Sequence, residues 1–550
     1  MIPPVAKRPF DGAVPEPKHE GKGSLFEALP QEILEMILSH LPIRQIPALA
    51  SVNQSMRRDC QSVVVRQLLN KRQLPLRRFG ITSVWGVLKV FKALGEELKY
   101  LKVVNLRGID VDNTELAMIT ELTPRLSRLY LANFCSYPCL SIKIRNINSL
   151  STLSFVCNED GLLLVREEIL SRVKKLRIRN NFFFRSSHLQ TIGVHATNLK
   201  KLDLGGCDNV NNSSFGELSE RITTLTTLKL TPNICSSEPG LEKLVNANPN
   251  LSTLKFFRSP TLDLEPLQPF SKITKFSMYR VNKKSVAWYE KLADYLPNVR
   301  DLCFNYCDDL TSFAAANFAE KCTRLVRLDL SFCDVLDDQV VLHLEKNFSR
   351  IISLSLQKCE LSDTSLALIG TKGTNIQTLK IGYNDSITDA GIIAFCRGSQ
   401  SLREIDLQCC RTLTGVALDS LLCSQTGLTS INFSINPLPY RSFKALVQSN
   451  TSLKKLSLIY CLGLTDLALT TLLGAHRNLS TLKLSFIEHI TIRGLLTALR
   501  CIKCLEELEI LFDNYPDAQT VTIYKTLLQK IKEILPYCEV RSNFEALIKP

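Results

Sequence analysis

Few residues in this chain have the types and spacing that catalysis or metal binding requires. The seven histidines are scattered, and there is no HExxH, GxSxG or Walker-type glycine loop. Cys501 and Cys504 have CxxC spacing, which could hold zinc or form a redox pair, but no second pair lies at zinc-finger distance. We interpret both as packed thiols, and we predict that the chain is not an enzyme and binds no cofactor or metal.

A row of basic side chains is the first pattern that predicts binding rather than catalysis. Lysine and arginine recur in the first half of the chain where a period-two alternation turns side chains toward solvent, and Asp203 is the main acidic residue among them. Such a row favours an acidic or phosphorylated protein segment as ligand. For any single residue, a solvated surface that aids solubility is the alternative. The basic positions are Lys174, Lys175, Arg177, Arg179, Lys200, Lys201, Lys229, Lys255, Arg258, Lys275 and Arg280.

A second row, rich in aromatic side chains, occupies the eighth position of regularly spaced segments in the second half of the chain. Large apolar side chains aligned on a solvated face are typical of binding sites. We predict that the aromatic members belong to the same ligand-binding surface, and packing against the following loops is an equally weighted alternative. The row consists of Tyr306, Phe332, Lys358, Tyr383, Cys409, Ile435, Tyr460, Phe486 and Phe512.

The segments that position both rows form a repeat with the pattern LxxLxL. Successive starts are 22 to 26 residues apart, and each copy continues into an apolar segment with helical spacing. Each unit is therefore predicted to be one short strand followed by one helix, and neighbouring units must stack to cover their apolar faces. The seventeen starts are Leu101, Leu126, Leu150, Val173, Leu199, Leu225, Leu251, Ile273, Val299, Leu325, Ile351, Ile376, Leu402, Leu428, Leu453, Leu479 and Leu505.

The ninth position of many copies is Cys or Asn, at the predicted turn from strand to helix. A thiol or amide there can meet backbone groups that the turn leaves unpaired, so we interpret these cysteines as structural. The positions are Cys207, Cys307, Cys333, Cys359, Cys410 and Cys461, with Asn158, Asn181, Asn233, Asn384 and Asn436.

This repeat resembles the leucine-rich-repeat family, and its 26-residue period with Cys resembles the cysteine-containing subfamily. VRDLCFNYCDDLTS and LKKLSLIYCLGLTD match most closely. The resemblance implies an α/β solenoid, a horseshoe with parallel strands on the concave face and helices outside, over residues 101–541 in about 17 repeats. LPYCEVRSNF resembles a truncated closing strand, and residues 542–550 are predicted to be a tail.

Residues 24–66 do not follow the repeat and are predicted to form three short helices. A wide apolar stripe on so small a module argues for a partner. The pattern resembles the F-box, which implies docking onto a Skp-type adaptor and through it a cullin. Gln45, Asn53 and Met56 depart from the family pattern. The predicted adaptor-binding residues are Leu29, Pro30, Ile33, Leu34, Ile37, Leu41, Pro42, Ile46, Leu49 and Val52.

The remaining segments and the composition complete the predicted organisation. Residues 67–100 are predicted to link the F-box to the solenoid and cap it, and residues 1–22 to form a disordered tail. With no long apolar run and no secretory signal, we expect an intracellular protein of the cytoplasm or nucleus that does not bind membranes. Of the net charge of +14, residues 1–300 carry +15 and residues 301–550 carry −1.

The order of F-box and repeats resembles substrate receptors of SCF (Skp–cullin–F-box) ubiquitin ligases. That resemblance implies a non-catalytic adaptor that brings a protein substrate to a ubiquitin-charged enzyme for degradation. Two alternatives stay open. One is a nucleic-acid-binding solenoid that uses the basic row, less favoured because few aromatics are interleaved with it. The other is an F-box scaffold that does not direct ubiquitination.

Overall fold

In the computed structural model the chain divides into two units, residues 1–71 and 72–550, and every described residue belongs to the second. The predicted F-box positions, Leu29 to Val52, therefore lie outside the described residues. The structure describes residues 84, 87, 88, 91, 98, 101–107, 109, 111, 113–131, 149–156, 167–180, 184–210, 212–231, 240–257, 271–281, 284–436, 453–461, 463–486, 489–502, 504–512, 518–535 and 538–543.

Among the described residues, eighteen strands form one sheet in which each strand pairs in parallel with its neighbours in sequence. The strands are β1 Val103–Leu106, β2 Arg128–Leu131, β3 Thr152–Val156, β4 Lys175–Arg179, β5 Lys201–Leu204, β6 Thr227–Leu230, β7 Thr253–Phe257, β8 Lys275–Tyr279, β9 Asp301–Asn305, β10 Arg327–Asp329, β11 Ser353–Ser355, β12 Thr378–Lys380, β13 Glu404–Asp406, β14 Ser430–Asn432, β15 Lys455–Leu458, β16 Thr481–Phe486, β17 Glu507–Phe512 and β18 Glu539–Ser542.

In the described part of the chain, a helix follows most of the strands before the next strand begins. Among the described residues, no helix combines the length and apolarity that a membrane crossing needs. The helices are α1 Asn113–Leu122, α2 Glu167–Leu170, α3 Ser186–His195, α4 Asn212–Ser219, α5 Gly240–Ala247, α6 Val286–Tyr295, α7 Ser312–Lys321, α8 Asp338–Leu344, α9 Asp363–Lys372, α10 Asp389–Gly398, α11 Gly415–Ser424, α12 Asp466–Ala475, α13 Ile492–Leu499 and α14 Ala518–Ile534.

The first seventeen strands match the seventeen predicted copies, and each strand begins two residues after its predicted start. The apolar residues at positions four and six face the core, as do Leu328 of β10 and Leu330 just after it, with 2% and 1% of their surface exposed. Helix residues such as Val340 and Leu344 of α8 are buried on the same side. The predicted α/β repeat sheet is thus confirmed, and β18 is the predicted closing strand.

In the copies with Cys or Asn at position nine, that side chain holds the turn after the strand. The thiol of Cys333 donates to the Phe304 carbonyl of the preceding copy at 3.4 Å, and the thiol of Cys359 contacts the Leu330 carbonyl at 3.3 Å. Asn384 plays the same part, donating to the Leu356 carbonyl at 2.9 Å. The prediction that these thiols and amides meet backbone groups is confirmed here, while Asn158, Asn181 and Asn233 lie outside the described residues.

Adjacent helices are joined through an aspartate at the first position of one helix and the N-cap of the next. The Asp363 carboxylate of α9 accepts from the Thr388 backbone N–H at 2.7 Å and from its hydroxyl at 2.6 Å, just ahead of α10. Gly391 of α10 leaves the space for that carboxylate, because a Cβ there would collide with it. The same pairing joins Asp389 to Thr414 and Asp466 to Thr491. These bonds fix the spacing of the copies.

Candidate binding surfaces on the strand face

The strand face is the side of the sheet opposite the helices, formed by positions three, five and seven of each copy. Parallel pairing places equivalent positions of successive copies side by side, so that Arg177 lies next to Asp203 and Asp203 next to Lys229. Adjacent strands are about 4.8 Å apart, which brings side chains from several copies into one contiguous surface.

The basic cluster is a group of six cationic side chains on β4 to β7. It consists of Lys175, Arg177, Arg179, Lys201, Lys229 and Lys255. Lys175 pairs in register with Lys201, and Lys229 with Lys255. The strands therefore bring together side chains that the sequence predicted to form one surface.

Asp203 lies among these cations with only 7% of its surface exposed. The guanidinium of Arg179 donates to both carboxylate oxygens, at 3.1 and 2.9 Å. Arg177 and Lys229 approach the same carboxylate at 3.5 and 3.6 Å. One carboxylate thus holds three cations close together, and the six cations with this single anion leave a formal charge of +5.

The cations perturb one another because they are crowded and partly buried. Burial, followed by repulsion from Lys201 and Arg177, lowers the pKa of Lys175. Burial and the neighbouring Arg179 likewise lower the pKa of Arg177. A second anion brought to this surface would relieve that repulsion, which makes the cluster suited to carboxylate or phosphate groups.

Beyond β7, the predicted basic row meets an acidic partner on the strand face. Lys275 is 2.7 Å from Asp301, which also binds Arg327 at 2.9 Å. Lys174 and Lys200 are exposed beside the cluster at the second position of their copies, and Arg258 lies outside the described residues.

The eighth position lies in the turn after the strand, with a left-handed backbone in ten copies. Its φ is 56° at Tyr306, 61° at Phe332 and 62° at Tyr383. In a continued strand the eighth residue would face the core with the fourth and sixth, so the left-handed turn is what brings it to the surface. Tyr383 and Tyr460 are 36% and 40% exposed.

Phe512 corrects the predicted aromatic row. Strand β17 continues through the eighth position, so this ring points to the core, is 1% exposed and stacks on Tyr524 at 4.1 Å. The expectation that Phe512 is on the binding surface was therefore wrong. Strand β16 also runs through Phe486, whose side chain lies outside the described residues.

Four rings make a continuous aromatic cluster along the carboxyl ends of the strands. The centroid of the Tyr306 ring is 5.1 Å from that of Tyr279. It is 4.6 Å from that of Phe332, and the rings of Tyr306 and Phe332 are stacked. Phe332 is in turn 5.6 Å from Tyr383. These rings pack on one another across copies, and we call Tyr279, Tyr306, Phe332 and Tyr383 the aromatic cluster.

Two residues take part in these surfaces in ways that the sequence did not indicate. Arg280, predicted only as a member of the basic row, lies over the rings of Tyr279 and Tyr306, at 5.6 and 5.2 Å. Gln408, which was not predicted as a site residue, donates from its amide to the Tyr383 hydroxyl at 2.8 Å. Its place at position seven, which the alternation turns outward, is a signal that could have indicated it.

The cysteines whose placement the structure describes show no arrangement typical of a metal or redox site. The fourteen described cysteines, including Cys501 and Cys504, are free thiols. Within the described ranges, no group of three or more His, Cys, Asp or Glu side chains is placed to hold a metal ion.

Comparison with known proteins assigns the N-terminal segment and shows distant structural likeness for the rest. The chain is similar to the yeast protein in the crystal structure of the Rad7 and Elc1 complex, at 16% identity over 82% of this chain and 93% of that one, with a TM-score of 0.38. It is similar to an internalin of Listeria monocytogenes, at 21% identity over 64% and 90%, with a TM-score of 0.39.

A third likeness is to a chain of the TLR13–ssRNA13 complex, at 15% identity over 76% of this chain and 67% of that one, with a TM-score of 0.38. Residues 26–62 match the F-box domain family, within the 24–66 segment predicted from the sequence. The chain thus carries an F-box domain, which supports an adaptor role, followed by a parallel α/β repeat sheet.

Proposed function

We propose that this protein is the substrate-recognition subunit of an SCF-type ubiquitin ligase. The observation that carries the proposal is the combination of an F-box at residues 26–62 with a repeat sheet whose open face bears the basic cluster. The F-box would hold a Skp-type adaptor and through it a cullin, while the strand face binds a protein substrate. Ubiquitination and degradation would follow from proximity to an enzyme carried elsewhere in the complex.

In this proposal the chain is a non-catalytic, intracellular subunit that acts in the cytoplasm or nucleus. Its repeats are of the cysteine-containing type, supported by six copies with Cys at position nine.

The substrate would present an acidic or phosphorylated segment to the basic cluster. Three of the cations already converge on the single carboxylate of Asp203, a geometry that a phosphate can extend with further charge-assisted bonds. Each such bond contributes about 1.5–3 kcal/mol, so losing one cation should weaken binding about tenfold or more.

The adaptor arm is tested by co-purification of the full chain with a Skp-type adaptor. Changing Leu29, Pro30 and Ile33 to alanine should abolish co-purification. A matched variant with Lys175, Lys229 and Lys255 changed to alanine should retain the adaptor. Retention of the adaptor by the first variant would contradict the F-box role.

The substrate arm is tested with a labelled glutamate-rich peptide, its phosphoserine version and single-stranded RNA, using fluorescence anisotropy. The basic-cluster variant, with Lys175, Lys229 and Lys255 changed to alanine, should lose binding of both peptides. The F-box variant, with Leu29, Pro30 and Ile33 changed to alanine, should keep it. Preferential binding of RNA, with affinity falling steeply as salt is raised, would instead favour the nucleic-acid alternative.

A further inference from the structure

Three of the four residues of the aromatic cluster occupy turns that do not need aromatic residues. The left-handed backbone of this turn is adopted by Gly206 in one copy and Asn180 in another, residue types that tolerate it. A bulky side chain in the same conformation is strained, and strained residues are typical of functional sites. Tyr306, Phe332 and Tyr383 all have this conformation. Turn geometry therefore gives no reason for these rings.

The rings are arranged to receive a flat cation. Tyr306 and Phe332 stack with only 8° between their planes. The guanidinium of Arg280 already lies over Tyr279 and Tyr306, so this surface accepts an arginine from within its own chain. Tyr383, at the other end of the cluster, is 36% exposed, and its hydroxyl is fixed by Gln408.

Carboxylates follow the aromatic cluster along the same turns. The tenth position of four successive copies holds an exposed acidic residue. Lys358, between the copies of Phe332 and Tyr383, is held 3.0 Å from Asp334. With Arg280 and Lys358 counted, two cations stand against four anions, so this edge of the sheet is net negative. The acidic residues are Asp308, Asp334, Glu360 and Asp385.

We propose that the aromatic cluster and these four carboxylates bind an arginine-containing segment of a partner protein. The guanidinium plane would stack on the exposed Tyr383 and the half-buried rings beside it while its N–H groups reach the carboxylates, a combination that a lysine ammonium matches less well. Acidic segments are repelled here, and nucleic acid would bring its phosphates against the same carboxylates. This site is distinct from the basic cluster and does not depend on the F-box assignment.

Binding is tested on the full chain with a fluorescein-labelled peptide of three Gly-Ser-Arg repeats and its Lys and Glu versions. The Arg peptide should bind most tightly. Tyr306→Gly and Phe332→Gly should each weaken its binding at least tenfold, because each removes one ring. Ile435→Gly is the matched control, since Ile435 has the same conformation, with a φ of 62°, outside the aromatic cluster. It should change affinity less than twofold.

Thermal unfolding separates lost binding from lost folding. Glycine relieves the left-handed backbone but removes side-chain packing and adds chain entropy to the unfolded state, so all three variants should remain folded and unfold cooperatively near the wild-type temperature. Wild-type affinity in Tyr306→Gly and Phe332→Gly would overturn the proposal. Tighter binding of the Glu peptide than of the Arg peptide would also overturn it. The same holds for an oligouridylate that binds wild type but not Tyr306→Gly, and for loss of Arg-peptide binding in the basic-cluster variant. None of these outcomes bears on adaptor co-purification.

Discussion

At the scale of the residue, Asp203 determines the arrangement of the basic cluster. Its carboxylate accepts hydrogen bonds from Nε and Nη2 of Arg179. It also accepts one from the Gly205 backbone N–H at 3.3 Å. Without it, three neighbouring cations would have no common anion. The same carboxylate also competes with any anionic ligand for those cations.

Replacing Asp203 with asparagine should therefore separate stability from binding. The free energy of unfolding should fall by about 1–3 kcal/mol, because a buried, charge-assisted network is weakened. Affinity for a phosphoserine peptide should rise, since the competing anion is gone. Urea unfolding and fluorescence anisotropy measure the two effects. Asp301→Asn, which also removes an anion between two cations, should lose stability without gaining affinity. Weaker peptide binding by Asp203→Asn would show that this carboxylate positions the cluster rather than competing for it.

At the scale of the element, the helices are connected by the aspartates at their first position. Asp338 of α8 accepts from the Ser362 backbone N–H at 2.8 Å and from the hydroxyls of Ser362 and Ser365. Burial alone would raise the pKa of Asp338, but these donors outweigh it and hold the pKa below its usual value. The charged form is thus the stabilising one.

This shift predicts how stability changes in acid. The folded-state pKa of Asp338 lies below the unfolded value of about 3.9, so its contribution is present above that pH and is lost as the pH falls through the folded value. Between pH 5 and pH 3, the unfolding midpoint of Asp338→Asn should therefore drop less than that of wild type. Asp419 of α11 is the control of opposite sign, because burial raises its pKa. The unfolding midpoint of Asp419→Asn should drop more than that of wild type over the same pH range. Equal drops for wild type and both variants would contradict the assigned pKa shifts.

The elements show what the sequence could and could not predict. Strand starts, core leucines and the position-nine thiols follow from period and alternation, which is why β1 to β17 match the predicted copies. The prediction for the eighth position failed at Phe512 because β17 continues through that residue, and alternation within a continued strand turns the eighth side chain to the core. Whether a turn becomes left-handed at that residue depends on the next copy, and such contacts between copies are not visible in a single repeat. The Arg280 stacking and the aspartate bridges escaped prediction for the same reason.

At the scale of the whole molecule, the two surfaces occupy successive parts of one sheet. The basic cluster lies on β4 to β7, and the aromatic cluster follows strands β8 to β12. Between four and five strand spacings separate their middles, roughly 22 Å at the usual spacing of about 4.8 Å. An extended segment of about six residues spans that distance. One partner segment with an acidic part and an arginine could therefore contact both surfaces.

The last two elements close the described sheet, and their removal should be destabilising. Helix α14 contributes the buried Leu527 and Ile531, and Tyr524 covers Phe512. A chain ending at residue 516 would expose the core side of β17, so we expect it to bind a hydrophobic dye and to self-associate in size-exclusion chromatography. A chain ending at residue 543 keeps every described element and should behave like the full chain. A monomeric, dye-negative product of the shorter truncation would contradict this closing role.

The position-nine thiols have a consequence for measuring motion within the array. Burial raises the pKa of Cys359, Cys410 and Cys461 to about 12 in each case, so each is protonated and shielded at neutral pH. An alkylating reagent reaches such a thiol only while its own copy is open. The rate at which each cysteine acquires a label, resolved by peptide mass, would therefore give the opening frequency of individual coils, with no engineered probe.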